Sequence, residues 1–351
     1  MSNTEIAQSL RMQAGACAQL GSPFSAGLLE CAALDVESGR PAADLMSPWR
    51  DADIRAQMYD AVPLRFLGAL HDLVLSGDEP ALAAAYPRPY RAADAEEAWA
   101  AARPALIRWH DRLAGFMDHE PQTNEVRRSV CLAPGFLTIA KETGLPIRAF
   151  EVAASAGLNM SWDRYAYRFG DAAWGDPESP VRIDTDWHGP PPPVDARVEV
   201  IERAACDRRP GDLSDPVQRR RLLAYVWPDQ SERLARIKGA IDLARRLDVR
   251  VEAADAAEWA WRAKPREGAV SVLYHSVFWI YMPPQTQAAL TAAIESLGAS
   301  ASPEAPFAWL RMEPPADNLS AMEVRLTLWP GGEDRLLADT HPHGAWVKWK
   351  G

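Results

Sequence analysis

The sequence predicts an α/β fold: a helical N-terminal region, then a mainly parallel sheet that ends in an antiparallel hairpin. Three observations predict it. Residues up to about 145 carry apolar positions at helical spacing, with no strand-like alternation to interrupt them. Five short apolar runs follow, separated mainly by helical segments, which is the pattern of a parallel sheet with crossover helices. Glu323–Trp329 then alternates, Pro330-Gly-Gly332 turns and Arg335–Asp339 returns, a hairpin signal. Two domains are expected, a helical cap over 1–145 and a sheet domain over 146–351.

In the N-terminal region Ile6, Leu10, Cys17 and Leu20 share one helical face. Ile54, Met58, Leu67, Leu70 and Leu73 populate another stretch that Pro63 must bend or break. Trp99, Leu106, Leu113 and Phe116 mark a third, with His110 beside the stripe as a core or boundary histidine. The polar run Pro121–Ser129 has two readings. It starts a helix, with Thr123 or Asn124 as cap and Glu125 favoured by the helix dipole. Alternatively Asn124, Glu125 and Arg128 face a substrate.

The chain is organised around Pro146–Met160, read as a buried strand (Ile147–Val152, ending at Glu151), a small-residue turn (Ala153–Gly157) and a helix. Leu158, Trp162, Tyr165 and Phe169 form an i, i+4, i+7, i+11 stripe, and Asn159 and Asp163 lie one turn apart on the other face. A turn without bulk lets backbone N–H groups approach a ligand. In open α/β sheets such a unit forms the ligand crevice at the strands' carboxyl ends. Residues 170–194, rich in Gly, Asp, Trp and Pro, show no periodicity and read as a lid-like insertion. The later strands are Arg197–Ile201, followed by Glu202 and Asp207, and Val249–Ala253, followed by Asp255. Ala269–Tyr274 ends at His275-Ser276, and Phe307–Met312 ends at Glu313. Ala345–Trp349 is a candidate final strand.

Composition bounds the partners. The net charge of −10 disfavours nucleic acid and anionic membrane, and Arg219–Arg221, near Asp212 and Asp215, reads as a solvated helix face. Cys17, Cys31, Cys131 and Cys206 are scattered, which fits reduced thiols in a cytoplasm. No apolar stretch approaches the roughly 18 residues of a membrane span, and the N-terminal residues lack a signal-peptide pattern. The expected partner is a small molecule.

Several segments resemble the DUF2332 family of uncharacterised bacterial proteins. They are Gln122-Thr-Asn-Glu125, Glu151-x-x-x-Ser155-x-Gly157-Leu-Asn159 with Asp163-Arg-Tyr165, and Cys206-Asp-x-x-Pro210. Tyr225-Val-Trp-Pro-Asp-Gln230, His275-Ser276 and His341-Pro-His-Gly344 complete the set. Residues 146–345 also resemble a class I S-adenosylmethionine-dependent methyltransferase domain, with a Rossmann-like sheet, in the order of their elements. That resemblance implies S-adenosylmethionine as cofactor. Glu151 and the turn with Ser155, Gly157 and Asn159 would hold its methionine end. Glu202 or Asp207 would take the ribose hydroxyls and Asp255 the adenine amino group. His275 and Ser276 would meet the methyl group, with Asn124, Glu125, Arg128, Asp163, His341 and His343 on the substrate side. Alanine at 153 and serine at 155 depart from the usual glycine-rich turn, leaving only Gly157 free to take φ > 0. No clear helix separates the fifth strand from the hairpin, so that sheet edge reads as a meander.

Other chemistry stays open. Ala153–Gly157 resembles a nucleophile elbow, and Ser155, Glu313 and His341 or His343 follow hydrolase order; Ser155 also suits an N-cap. His275 suits a general base or a backbone-bound histidine. His341 and His343 could share a metal but lack an evident third ligand, so no metal is expected. Trp162 and Trp279 are candidates for stacking on a ring. A third reading is a nucleotide-like binding module without catalysis.

Overall fold

The computed structural model describes residues 3–88, 93–122, 124–315, 318 and 321–351. Thr123, one of the two candidate caps, lies outside the described residues. The chain divides into two compact units, Met1–Thr123 with Asp215–Lys238 and Asn124–Ser214 with Gly239–Gly351.

The first unit is helical. Ile6, Leu10, Leu28, Phe66, Leu70, Trp99 and Leu106 lie in its core. Pro63 stands in the first turn of the helix Val62–Ser76, so the expected break falls between it and the helix Ile54–Tyr59. The returning segment is tied in by polar contacts within this unit. Asp229 accepts from the Ser22 hydroxyl at 2.5 Å and the Phe24 amide at 3.0 Å, and Ala224 O lies 3.2 Å from His71 Nδ1. The basic run is not simply a solvated face: Arg220 bonds Asp72 at 2.7 Å and Arg221 bonds Phe116 O at 2.6 Å.

The second unit is built on one mixed sheet. Its strands are β1 (Ile147–Val152), β2 (Ala166–Phe169), β3 (Ala172–Gly175), β4 (Arg182–His188), β5 (Val200–Asp207) and β6 (Glu252–Ala253). They continue with β7 (Val270–Ser276), β8 (Phe307–Glu313), β9 (Met322–Trp329), β10 (Glu333–Thr340) and β11 (Trp346–Trp349). The order is β3-β2-β4-β11-β10-β9-β8-β7-β1-β5-β6. From β8 to β6 every pairing is parallel. β8, β9, β10 and β11 pair antiparallel in series, giving the meander. β1 and β7 are buried along nearly their whole length, which is why they read as mainly apolar runs.

Several expectations are corrected. The helix expected after the turn is a short 3-10 segment, Leu158–Arg164, followed by β2. Tyr165, Tyr167 and Phe169 are buried in alternation with more accessible Ala166 and Arg168, so a period of two wins over the helical stripe. Aromatic side chains fit a pleated, packed surface, and these three use it. The supposed lid contributes β3 and β4 to the sheet, with Ile183 and Thr185 buried between exposed Arg182, Asp184 and Asp186. The strand expected at Val249–Ala253 shrinks to the two residues of β6. The helix Ser129–Thr143, which lies before the expected boundary at 145, packs on β8 and β9 and belongs to the second unit.

Candidate functional site

The carboxyl ends of β6, β5, β1, β7 and β8 lie side by side in that order. Chain order runs from β1 outward to β5 and β6, then crosses to β7 and β8 on the other side. The direction of winding therefore reverses between β1 and β7.

At the exit of β1 the backbone alternates in handedness. Ala153 has φ 56°, Ser155 φ 53° and Gly157 φ 74°. Two residues thus adopt the left-handed region without being glycine, against the expectation, at a cost of about 1–2 kcal/mol each. Neighbouring groups hold the turn. Asp207 Oδ2 accepts from Ser155 N at 2.8 Å, Gly211 N donates to Ser155 O at 3.1 Å, and Ala154 N donates to Cys206 O at 3.1 Å. Gly157 also needs its missing side chain, since a Cβ would meet Val249 Cγ1 at 2.8 Å. Gly157, with no side-chain cap, precedes the 3-10 segment, so Ser155 is not its N-cap.

Glu151 is 3 % exposed and accepts from the Tyr274 hydroxyl at 3.2 Å across the β1–β7 pair. Burial pushes its carboxyl up to about 8; the Tyr274 hydrogen bond opposes this and the Asp207 charge adds to it. Asp207, at the end of β5, spends one oxygen on Ser155 N and the other on Arg209 N at 2.8 Å. Asp255 caps the short helix Ala256–Trp259 through Ala257 N at 2.9 Å. Glu202 stands apart from these acids. It pairs with Arg148 at 2.7 Å, and their register lies four residues from the Val152–Cys206 pair at the other end. That places Glu202 about 13 Å back toward the strands' amino ends, so it cannot line the crevice with Asp207. Its carboxyl is held below the usual range by the Arg148 hydrogen bond.

At the exit of β7, His275 is fully buried. Trp309 Nε1 donates to its Nε2 at 3.0 Å, and its Nδ1 lies 2.7 Å from Glu313 Oε1. An indole N–H can only donate, so Nε2 is the acceptor and Nδ1 carries the proton. Both ring nitrogens are occupied, and the expected general base has none left for a substrate. Glu313 also accepts from Phe278 N at 3.0 Å and Trp279 N at 3.2 Å. It thereby clamps a turn in which Val277, a β-branched residue, has φ 53°. Ser276 ends β7 beside that turn. Trp279 stacks on the His275 ring with centroids 5.6 Å apart, and Trp162 stacks on Phe136 at 4.0 Å, so both have protein partners.

Glu313 and His341 do not form the acid–histidine pair of a hydrolase. Glu313 is committed to His275 and two backbone amides. His341 Nδ1 accepts from His343 N at 3.0 Å, so it has no Nδ1–H to give an acid.

The remaining residues brace the crevice from the 124–128 side. Asn124 Oδ1 accepts from Leu158 N at 2.9 Å, and Asn159 Nδ2 donates to Glu125 O at 3.3 Å. Glu125 Oε1 accepts from Arg127 N at 3.1 Å, and Arg128 Nε donates to Pro342 O at 3.0 Å. Asp163 forms an ion pair with Arg203 of β5, whose Nε also bonds Met160 O at 3.1 Å. Asn159 Oδ1, Ser161 Oγ and Asp163 Oδ1 are buried with no hydrogen-bond partner among the described residues. Tyr274, Trp309 and Arg203 were not singled out from sequence. Each sits inside a strand, where nothing local marks its cross-strand partner. Among the described residues no three His, Cys, Asp or Glu side chains are grouped to hold a metal, and no helix is long and apolar enough to cross a membrane.

The family model for "Uncharacterized protein conserved in bacteria (DUF2332)" matches residues 7–349. The chain belongs to the DUF2332 family. No curated protein matches it, and no solved structure matches it. All the segments quoted above for the family lie inside the matched range.

Proposed function

We propose that the second unit of this DUF2332 protein binds an adenosyl ligand at the β1–β7 switch point and serves S-adenosylmethionine-dependent methyl transfer to a small molecule. The observation that carries this reading is the reversal of winding between β1 and β7, with the strained turn and the Glu151–Tyr274 bond at that same place. Open α/β sheets bind ligands outside the strands' carboxyl ends at such a point. Strained backbone clusters at ligand clamps and active sites, and here both flanking exits carry it.

In this reading the 153–157 turn offers its amides to the methionine end, and Glu151 ionises when a ligand ammonium replaces its lost hydration. Asp207 keeps lone pairs for ribose hydroxyls beyond those given to Ser155 and Arg209, and Asp255 Oδ2 faces the adenine amino group. Binding without turnover is the second reading, favoured by one observation: His275 has no free nitrogen to act as base.

Isothermal titration of the full chain with S-adenosylmethionine and S-adenosylhomocysteine tests the proposal. Binding is expected in the wild type and in Glu202→Gln, with loss in Asp255→Ala and Asp207→Ala. No heat with either ligand, or equal affinity in all four proteins, refutes it. Binding with no methyl transfer across an acceptor panel selects the non-catalytic reading.

A further inference from the structure

Glu151 is a buried carboxyl without a counter-charge. Its hydrogen-bond donor is the Tyr274 hydroxyl, and among the described residues no basic side chain forms an ion pair with it. Its cross-strand neighbours are Ala205 on β5 and Tyr274 on β7. The charge that acts on it is the like one of Asp207, whose oxygens are held by the amides of Ser155 and Arg209. Arg203 lies two residues before Ala205, on the same face of β5, but is engaged by Asp163 and by Met160 O. Arg148, three residues back on the opposite face of β1, pairs with Glu202. Tyr165 feels the Glu151 charge and gives its hydroxyl to Leu158 O, and the helix Ser129–Thr143 brings only the Phe136 ring, edge-on to Tyr274 at 5.1 Å. A carboxyl so placed keeps its proton, and burial pushes it up to about 8.

The segment that follows the turn adds unused acceptors. Asn159 is 3 % exposed, yet its Oδ1 and Asp163 Oδ1 are buried with no hydrogen-bond partner among the described residues. The Asp163 charge acts on Tyr274, the residue that bonds Glu151. An uncompensated acid and spare acceptors suit a group that brings both a positive charge and several N–H donors.

We propose that Glu151 selects for a ligand amine: a cationic ammonium seated at the β1 exit displaces the carboxyl's proton to solvent, so binding releases one proton and tightens as pH rises. This rests on the adenosyl reading and names what decides affinity within it. The carboxyl O–H bond breaks, the proton passes to the buffer, and the ammonium keeps its own protons.

The probes are S-adenosylhomocysteine, which carries the amine and its carboxylate, and 5′-methylthioadenosine, which carries neither. Both are titrated into the full chain by calorimetry, at pH 7 in phosphate and in MOPS, whose ionisation enthalpies differ, and in phosphate at pH 6 and 7.5. For S-adenosylhomocysteine the two buffers should give enthalpies that differ by the release of about one proton, and Kd should tighten roughly thirtyfold from pH 6 to 7.5. The nucleoside without the amine should show neither effect. In Glu151→Gln, where the amide has no proton to lose, S-adenosylhomocysteine should bind more weakly, with no release and no dependence on pH. Equal enthalpy in both buffers and equal affinity at both pH values overturn the exchange and leave the adenosyl reading standing. Release that persists in Glu151→Gln assigns the proton to another group and overturns it as well. No heat with either probe refutes the adenosyl reading, and the exchange with it.

Discussion

Substituting Glu151 by glutamine gives the most decisive test of the crevice's electrostatics. The side chain is 3 % exposed, and burial takes its carboxyl from 4.5 to about 8. Ionising such a group in the fold costs roughly 5 kcal/mol, at about 1.4 kcal/mol for each tenfold change in proton affinity. Because the folded value exceeds the unfolded one, the folded state holds the proton more tightly. The stability this provides is complete below 4.5 and is lost as pH rises to about 8, then stays constant. Glutamine keeps the shape and can still accept from Tyr274, but it does not titrate. Urea unfolding followed by tryptophan fluorescence should show wild-type stability falling between about pH 5 and pH 8.5, while Glu151→Gln changes less by roughly 4 kcal/mol. Tyr274→Phe removes the donor that favours the charged form, so it should carry the wild-type decline to higher pH. Parallel pH profiles for wild type and Glu151→Gln would show that the carboxyl is ordinary, and the argument for a desolvated crevice floor would fail.

Four further outcomes are expected. The double change Ala153→Gly, Ser155→Gly should stabilise by about 1 kcal/mol, since relief of two left-handed residues exceeds the added chain entropy of two glycines. Ala153→Val at φ 56° should instead destabilise by more than about 1 kcal/mol in the same melts. Glu313→Ala leaves His275 Nδ1 and two turn amides without an acceptor and should cost about 3 kcal/mol, with faster hydrogen exchange at Phe278 and Trp279. A fluorophosphonate probe should leave Ser155 unlabelled, because Glu313 is committed to His275 and His341 Nδ1 accepts the His343 amide.

Much of the second unit was legible in the sequence. The strands of the parallel half announce themselves because burial on both faces demands mainly apolar runs such as Ile147–Val152 and Ala269–Tyr274. The hairpin 322–340 was visible in its alternation and its Pro-Gly-Gly turn. The segment after Gly157 was not, because Leu158, Trp162, Tyr165 and Phe169 satisfy a helical period while Tyr165, Tyr167 and Phe169 satisfy a strand period. Only pairing of β2 with β3 and β4 resolves the two.

The candidate site divides along the same line. Sequence by itself placed Glu151, Asp255, His275 and Glu313 at the ends of mainly apolar runs, and left Glu202 and Asp207 as alternatives after a strand read as Arg197–Ile201. Tertiary structure decided what each is free to do. His275 is consumed by Trp309 and Glu313, Glu202 is drawn to the opposite end by Arg148, and Asp207 holds the turn it was expected to complement. The reason is that strand position follows from local hydrophobic pattern, whereas hydrogen-bond partners come from strands distant in the chain. A side chain's chemistry is set by those partners and by its burial, and neither is written in its neighbours along the sequence.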